Sequence, residues 1–145
     1  MTWEVRRAAD EADVRRCWPV FRELRRNIDT ESEYVDRWKR QRDEGYEIVY
    51  IEETGGVVAV GGYRLLHSMA WGRYIYLDDL AALTVQQGRG LGAAILQWVQ
   101  REARRLGCEG VHLDTGYHRQ KAHKTYLRNG FILDSHHLSW KVTPE

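Results

Sequence analysis

Asp78 and Asp79 stand side by side in an apolar run, residues 74–83. Three glycines follow at alternate positions, Gly88, Gly90 and Gly92. From Leu91 the apolar residues Ile95, Trp98, Val99 and Leu106 recur at helical spacing. This is a strand, a glycine turn and a helix. Glycine takes positive φ without steric cost and lets a backbone approach a ligand. The first N–H groups of the helix have no intrahelical partner, and the helix dipole adds a partial positive charge. Together they make an anion site that suits a pyrophosphate. The turn alone is equally compatible with a structural connection. It lacks the Gly-Lys-Ser/Thr of a P-loop and does not match G-x-G-x-x-G.

A carboxylate beside such a site is a candidate general base. Side chains alternate across a strand, so only one of Asp78 and Asp79 should face a cleft unless a bulge intervenes. The alternative for either is a strand-end carboxylate in an ion pair.

These groups need elements to position them. Residues 3–8 read as a first strand. Asp10 is a plausible N-cap for a helix with Val14, Cys17, Trp18, Phe21 and Leu24 on one face, kinked at Pro19. Thr30 and Glu33 form a capping-box pattern that opens a second helix, which ends near Gly45. Residues 46–53 and 57–66 flank Thr54-Gly55-Gly56 as a hairpin, and residues 74–83 follow as a third strand. After the glycine turn and its helix, which closes at Gly107, come a strand at 111–115 and a helix at 121–128. A last stretch at 131–142 is expected to finish the sheet. The order is β-α-α-β-β-β-α-β-α-β(-β). It predicts an α/β (α+β mixed) fold whose central, mostly antiparallel, twisted sheet is flanked by helices. Residues 1–145 suit a single domain.

The net charge of +1, from 22 Lys and Arg against 21 Asp and Glu, lacks the basic excess of a nucleic-acid binder. No apolar run reaches membrane-spanning length. Cys17 and Cys108 read as reduced, buried thiols, which makes the cytoplasm the expected location. The six histidines match no standard metal spacing, so no metal is expected.

The run Asp78-Asp79-Leu80-Ala81-Ala82, followed by Gln87-Gly88-Arg89-Gly90-Leu91-Gly92-Ala93, resembles the acetyl-CoA signature of the GNAT superfamily of N-acetyltransferases, Gln/Arg-x-x-Gly-x-Gly/Ala after a strand. Ala122-His123-Lys124-Thr125-Tyr126-Leu127-Arg128-Asn129-Gly130-Phe131 resembles that family's closing helix. The pattern departs from the commoner one at Thr84, Gln87 and Arg119. The closing segment, with Ser135-His136-His137, is also similar to that of aminoalkylphosphonate-type acetyltransferases.

The resemblance implies a GNAT-like fold with acetyl-CoA as co-substrate. It implies that the backbone of Leu80, Ala81 and Ala82 pairs with the pantetheine arm. Backbone N–H groups from Gly88 to Ala93 would hold the pyrophosphate, with Arg89 adding charge. Tyr126 would act as general acid at the sulfur and Asp78 as the favoured base. A packed helix aromatic is the alternative for Tyr126. An acceptor region lined by Arg25, Asn27, Tyr34, Tyr117 and His137 follows by the same analogy. The expected acceptor is a primary amine of a small molecule. A protein amine, or a CoA-binding module without turnover, are the other readings. Dimers are common in the resembling family, so a homodimer is one state it allows.

Overall fold

The first helix of the chain starts where its cap dictates. Asp10 accepts a hydrogen bond from the N–H of Asp13 (2.9 Å), and Asp13 in turn accepts from the N–H of Ala9 (2.8 Å). In the computed structural model, which describes residues 2–144, two helices replace the single kinked one expected here: α1 (Glu11–Arg16) and α2 (Trp18–Leu24). Pro19 is the cause. Its ring and missing N–H do not fit a helix interior but are tolerated in a first turn, so the chain turns at Cys17 and begins again. Thr30 caps α3 (Glu31–Asp43) through the N–H of Glu33 (3.1 Å). The Glu33 carboxylate reaches the N–H of Asp29 (3.4 Å), one residue beyond the usual capping-box partner.

The sheet has five strands in the order β1 (Arg6–Arg7), β2 (Tyr46–Glu53), β3 (Gly56–Ser68), β4 (Gly72–Ala82) and β5 (Gly110–His112). Every pairing is antiparallel except β4 with β5. Helix α4 (Leu91–Arg105) supplies the crossover between those two and packs on β3 and β4. The mostly antiparallel sheet between helices agrees with the sequence reading, although β1 is shorter than residues 3–8.

The two faces of the sheet have different cores. On one face, Val14, Val20, Phe21, Tyr34, Val35 and Trp38 from α1–α3 pack on Tyr46, Ile48, Tyr50, Val57 and Val60. On the other, α4 buries Ile95, Leu96 and Val99 completely. Each such side chain contributes roughly 1.5–3 kcal/mol on burial, which stabilises a helix of marginal intrinsic stability. Gly61 permits this packing, since a Cβ there would sit 2.7 Å from Ile95 Cγ2.

The first compact unit ends at Leu113, and a second begins at Asp114. The second holds α5 (Gln120–Arg128), closed by Gly130 at φ 87°. The strand expected over residues 131–142 is absent among the described residues. Ile132, Leu133, Leu138, Trp140 and Val142 are exposed there instead. Alternating apolar residues form a strand only where a neighbour completes the hydrogen-bond ladder, and the sheet takes up no segment after β5.

Candidate active site

The register of β3 against β4 decides where the two carboxylates point. Gly62 faces Asp79 and Tyr63 faces Leu77, so Asp78 is an extra residue opposite no partner. This is a β-bulge, and it cancels the alternation that would have separated the two side chains. Arg64, Tyr46 and Gly62 share the face covered by α1–α3, and both carboxylates bond to groups on it. Asp78 accepts from Arg64 through Nε and a terminal nitrogen, each at 2.8 Å. Asp79 accepts from Tyr46 Oη (2.5 Å) and Arg25 Nε (2.8 Å). Leu77 and Leu80 lie in the core on the α4 side or at its edge.

Burial raises the Asp78 carboxyl above its ordinary value near 3.8, against the opposing pull of Arg64. Burial also pushes the Tyr46 phenol well above its usual value, and the neighbouring Asp79 adds to the effect. Tyr46 therefore keeps its proton and donates it to Asp79. Arg64 also lies over the ring of Tyr76, 5.4 Å from its centroid.

A cleft of about 890 Å³ opens on this face, between α2, α3 and the sheet. Asp79, Arg25, Asn27, Tyr34, Tyr46 and Arg37 are among its lining residues. Three of the five side chains named from sequence as acceptor-lining thus meet in one cleft. Tyr117 and His137 belong to the second unit, where His137 Nδ1 lies 3.1 Å from Asp114 Oδ1. Sequence reading missed Tyr46 and Arg64. The one local signal was the double glycine Gly61-Gly62 inside a strand, which marks a close approach.

The glycine turn takes the conformation its residues allow. Gly88 (φ 85°) and Gly90 (φ 82°) are left-handed, and Gly90 is the N-cap of α4. The first intrahelical bond runs from the N–H of Ala94 to Gly90 O, so the preceding N–H groups of Leu91, Gly92 and Ala93 lie ahead of the helical ladder. No Cβ contact arises within 4 Å at Gly88, Gly90 or Gly92, so the surface over the turn is open. Gln87 leads into this turn in extended conformation. Arg89 is held by Glu53 through two bonds of 2.6 and 2.9 Å and sits 4.8 Å from the Trp3 ring centroid. Its charge is therefore already paired.

β5 pairs with β4 only along Tyr74–Tyr76, so Leu80, Ala81 and Ala82 lie past the end of that parallel ladder. A short single turn, Thr84–Gln86, follows. It is tied to α2 because the N–H and Oγ1 of Thr84 both donate to Glu23 (2.8 Å each).

In the second unit, Tyr126 is buried in α5, with its ring 5.9 Å from that of Phe131. Burial raises the Cys17 thiol to about 12, which leaves it inert near neutrality. Cys108 is only partly buried. Among the described residues, no group of three or more His, Cys, Asp or Glu is placed to hold a metal ion, and no helix is long and apolar enough to cross a membrane.

Comparison with known proteins agrees with this arrangement. Residues 12–131 match the model of the acetyltransferase (GNAT) family. YhdJ of Bacillus subtilis, an uncharacterized N-acetyltransferase, is 27% identical over 121 residues, 82% of this chain and 84% of that protein. The aminoalkylphosphonate N-acetyltransferase of Salmonella typhimurium is 33% identical over 79 residues, 54% of this chain and 50% of that one. The fold superposes on the aminoglycoside N-acetyltransferase AAC(6')-Iy, solved in complex with CoA, with a TM-score of 0.82 at 12% identity over 96% of this chain and 93% of the other. The chain is an acyltransferase that belongs to the GNAT family.

Proposed function

We propose that this acyltransferase moves an acetyl group from acetyl-CoA to the primary amine of a small molecule by direct attack on the thioester. The observation that carries the reading is the bulge in β4, which turns Asp78 and Asp79 onto one face beside a cleft of small-molecule size. The donor assignment draws support from the open glycine turn at the N-terminus of α4 and from the CoA complex of a protein with the same fold. The acceptor assignment draws support from the aminoalkylphosphonate and aminoglycoside N-acetyltransferases among the similar proteins.

An alkylamine with a pKa of about 10.4 is neutral in roughly one molecule in a few thousand at pH 7. Only the neutral form attacks a thioester, so removing the proton is worth roughly 4–5 kcal/mol. Asp78 takes that proton, directly or through a water. Each of its oxygens keeps a lone-pair site beyond the one Arg64 uses, and Arg64 fixes the direction of the carboxylate. Attack by nitrogen on the thioester carbon gives a tetrahedral oxyanion, which a backbone N–H near Ala82 stabilises. The C–S bond then breaks. Tyr126 gives its proton to the departing thiolate and regains one as the amide nitrogen sheds its second proton through solvent, leaving an amide and free CoA. Leu80, Ala81 and Ala82 pair with the pantetheine arm. Backbone N–H groups from Gly88 to Ala93 hold the pyrophosphate.

Thiol release from acetyl-CoA, measured over a panel of small primary amines and lysine peptides with mass analysis of products, tests this. Release driven by small amines is expected. Release with peptides alone would transfer the reading to a protein acceptor. Acetyl-CoA binding with no release on any amine or peptide would overturn it.

A further inference from the structure

Arg25 makes two bonds to the bulge of β4. Its Nε donates to Asp79 Oδ1 at 2.8 Å, and a terminal nitrogen donates to the backbone carbonyl of Asp78 at 2.7 Å. Asp78 is the extra residue of the bulge and has no partner across from it in β3. Arg25 thus bonds the backbone of the bulge itself, and it grips the next side chain in the strand. It sits just after the last turn of α2, where its own N–H bonds Phe21 O at 2.7 Å. The helix end and the bulge are therefore tied together.

We propose that Arg25 is a positioning residue for acetyl transfer: by bridging the Asp79 carboxylate and the Asp78 carbonyl, it fixes the bulged backbone from which the Asp78 carboxylate is aimed at the cleft. This rests on the reading of Asp78 as the base.

The physical need is plain from the register. Leu77 lies on the α4 face with Tyr63, so Asp78 falls on the cleft face by alternation, and the bulge then brings Asp79 onto that same face. Without the bulge, β4 would slip by one residue beyond Leu77, Asp79 would turn toward the packing of α4, and Arg25 would lose the carboxylate through which it holds the Asp78 backbone. The bulge is braced from beneath as well. Tyr46 is buried and donates to the second oxygen of Asp79, in space left free by the missing side chain of Gly62. Arg64 then orients the Asp78 carboxylate itself. Arg25 does not belong to the core, since its side chain is 40% exposed, so replacing it leaves the packing intact. A lysine cannot stand in. It offers one nitrogen, whereas the two acceptors need two donors fixed in one plane.

The test is a double-mutant cycle of Arg25→Lys and Asp78→Asn in the full chain, using acetyl-CoA and the fastest amine of the panel above. Arg25→Lys should lower kcat at neutral pH by roughly tenfold to a hundredfold while the KM for acetyl-CoA stays within about twofold. Its deficit should shrink at high pH. It should cost little further activity in the Asp78→Asn background. Millimolar guanidinium should restore part of the activity of Arg25→Ala, an outcome that a general folding defect would not give. If Asp78→Asn is impaired but Arg25→Lys keeps the wild-type kcat and pH profile, or if the two losses simply add, the positioning role is overturned and the base reading stands. If Asp78→Asn behaves as wild type, the reading beneath both is overturned.

Discussion

Tyr46 occupies the space that a side chain at Gly62 would need. A Cβ at position 62 would lie 2.8 Å from Tyr46 Cε1 and closer still to its hydroxyl. The pair lies beneath Asp79, so the absence of one side chain in β3 gives a buried phenol access to a carboxylate in β4. A glycine in mid-strand costs stability by itself, and here that cost is offset by the polar contact it permits.

Gly62→Ala is therefore expected to destabilise the fold by roughly 1–3 kcal/mol through overpacking. Tyr46→Phe, which removes only the donor to a charged acceptor, is expected to cost a similar roughly 1.5–3 kcal/mol. Denaturant titration of both variants checks this. Wild-type stability in Gly62→Ala would mean that the two strands part easily at this point.

The glycine turn separates conformation from contact. Gly90 is left-handed, so Gly90→Ala strains the N-cap by roughly 1–2 kcal/mol and should raise the KM for acetyl-CoA. Gly92 lies inside the first turn of α4 without positive φ and with open space around it. Gly92→Ala should gain roughly 0.5–1 kcal/mol from helix propensity. Thermal denaturation and acetyl-CoA titration of both variants check the pair. Equal effects at the two positions would contradict the assignment.

Tyr126→Phe keeps the ring that packs against Phe131 and removes only the hydroxyl. If that hydroxyl protonates the thiolate, kcat should fall by roughly a hundredfold while acetyl-CoA affinity stays nearly unchanged. Stopped-assay kcat and CoA titration on the same sample measure both. Unchanged turnover would reduce Tyr126 to a packing residue.

The parts of this molecule legible in its sequence are those fixed by local physics. Gly90 and Gly107 announce the two ends of α4 by their backbone freedom, and Leu91, Ile95 and Val99 show its buried face by their spacing. Asp10 and Thr30 show where helices begin. Pro19 was legible as a disturbance, although whether it kinks or breaks a helix depends on how Cys17 turns. The facing of Asp78 and Asp79 was not legible. It follows from the pairing of β4 with Gly62 and Tyr63, and no property of the dipeptide itself encodes a bulge. Arg64 was anonymous among the other arginines for the same reason, and Arg25, named by analogy as lining the acceptor region, carried no sign of its bonds to the bulge, since its partners lie far along the chain. Residues 131–142 carry a strand-like pattern, but pattern alone provides no partner for a ladder.

The pH dependence of kcat/KM in wild type and Asp78→Asn tests the central claim most directly. Burial raises the folded-state pKa of Asp78, so its protonated, inactive form persists to higher pH than in an ordinary aspartate. The acid limb of the wild-type profile that belongs to this group should lie above about 3.8, with activity rising as pH climbs through it. Asp78→Asn should lose roughly a hundredfold near neutral pH. It should recover toward wild type at high pH, where the free amine is already neutral. A variant whose profile overlays that of the wild type across this range would contradict the account, and the same profile in Asp79→Asn with Asp78→Asn unaffected would transfer the base to the neighbouring carboxylate.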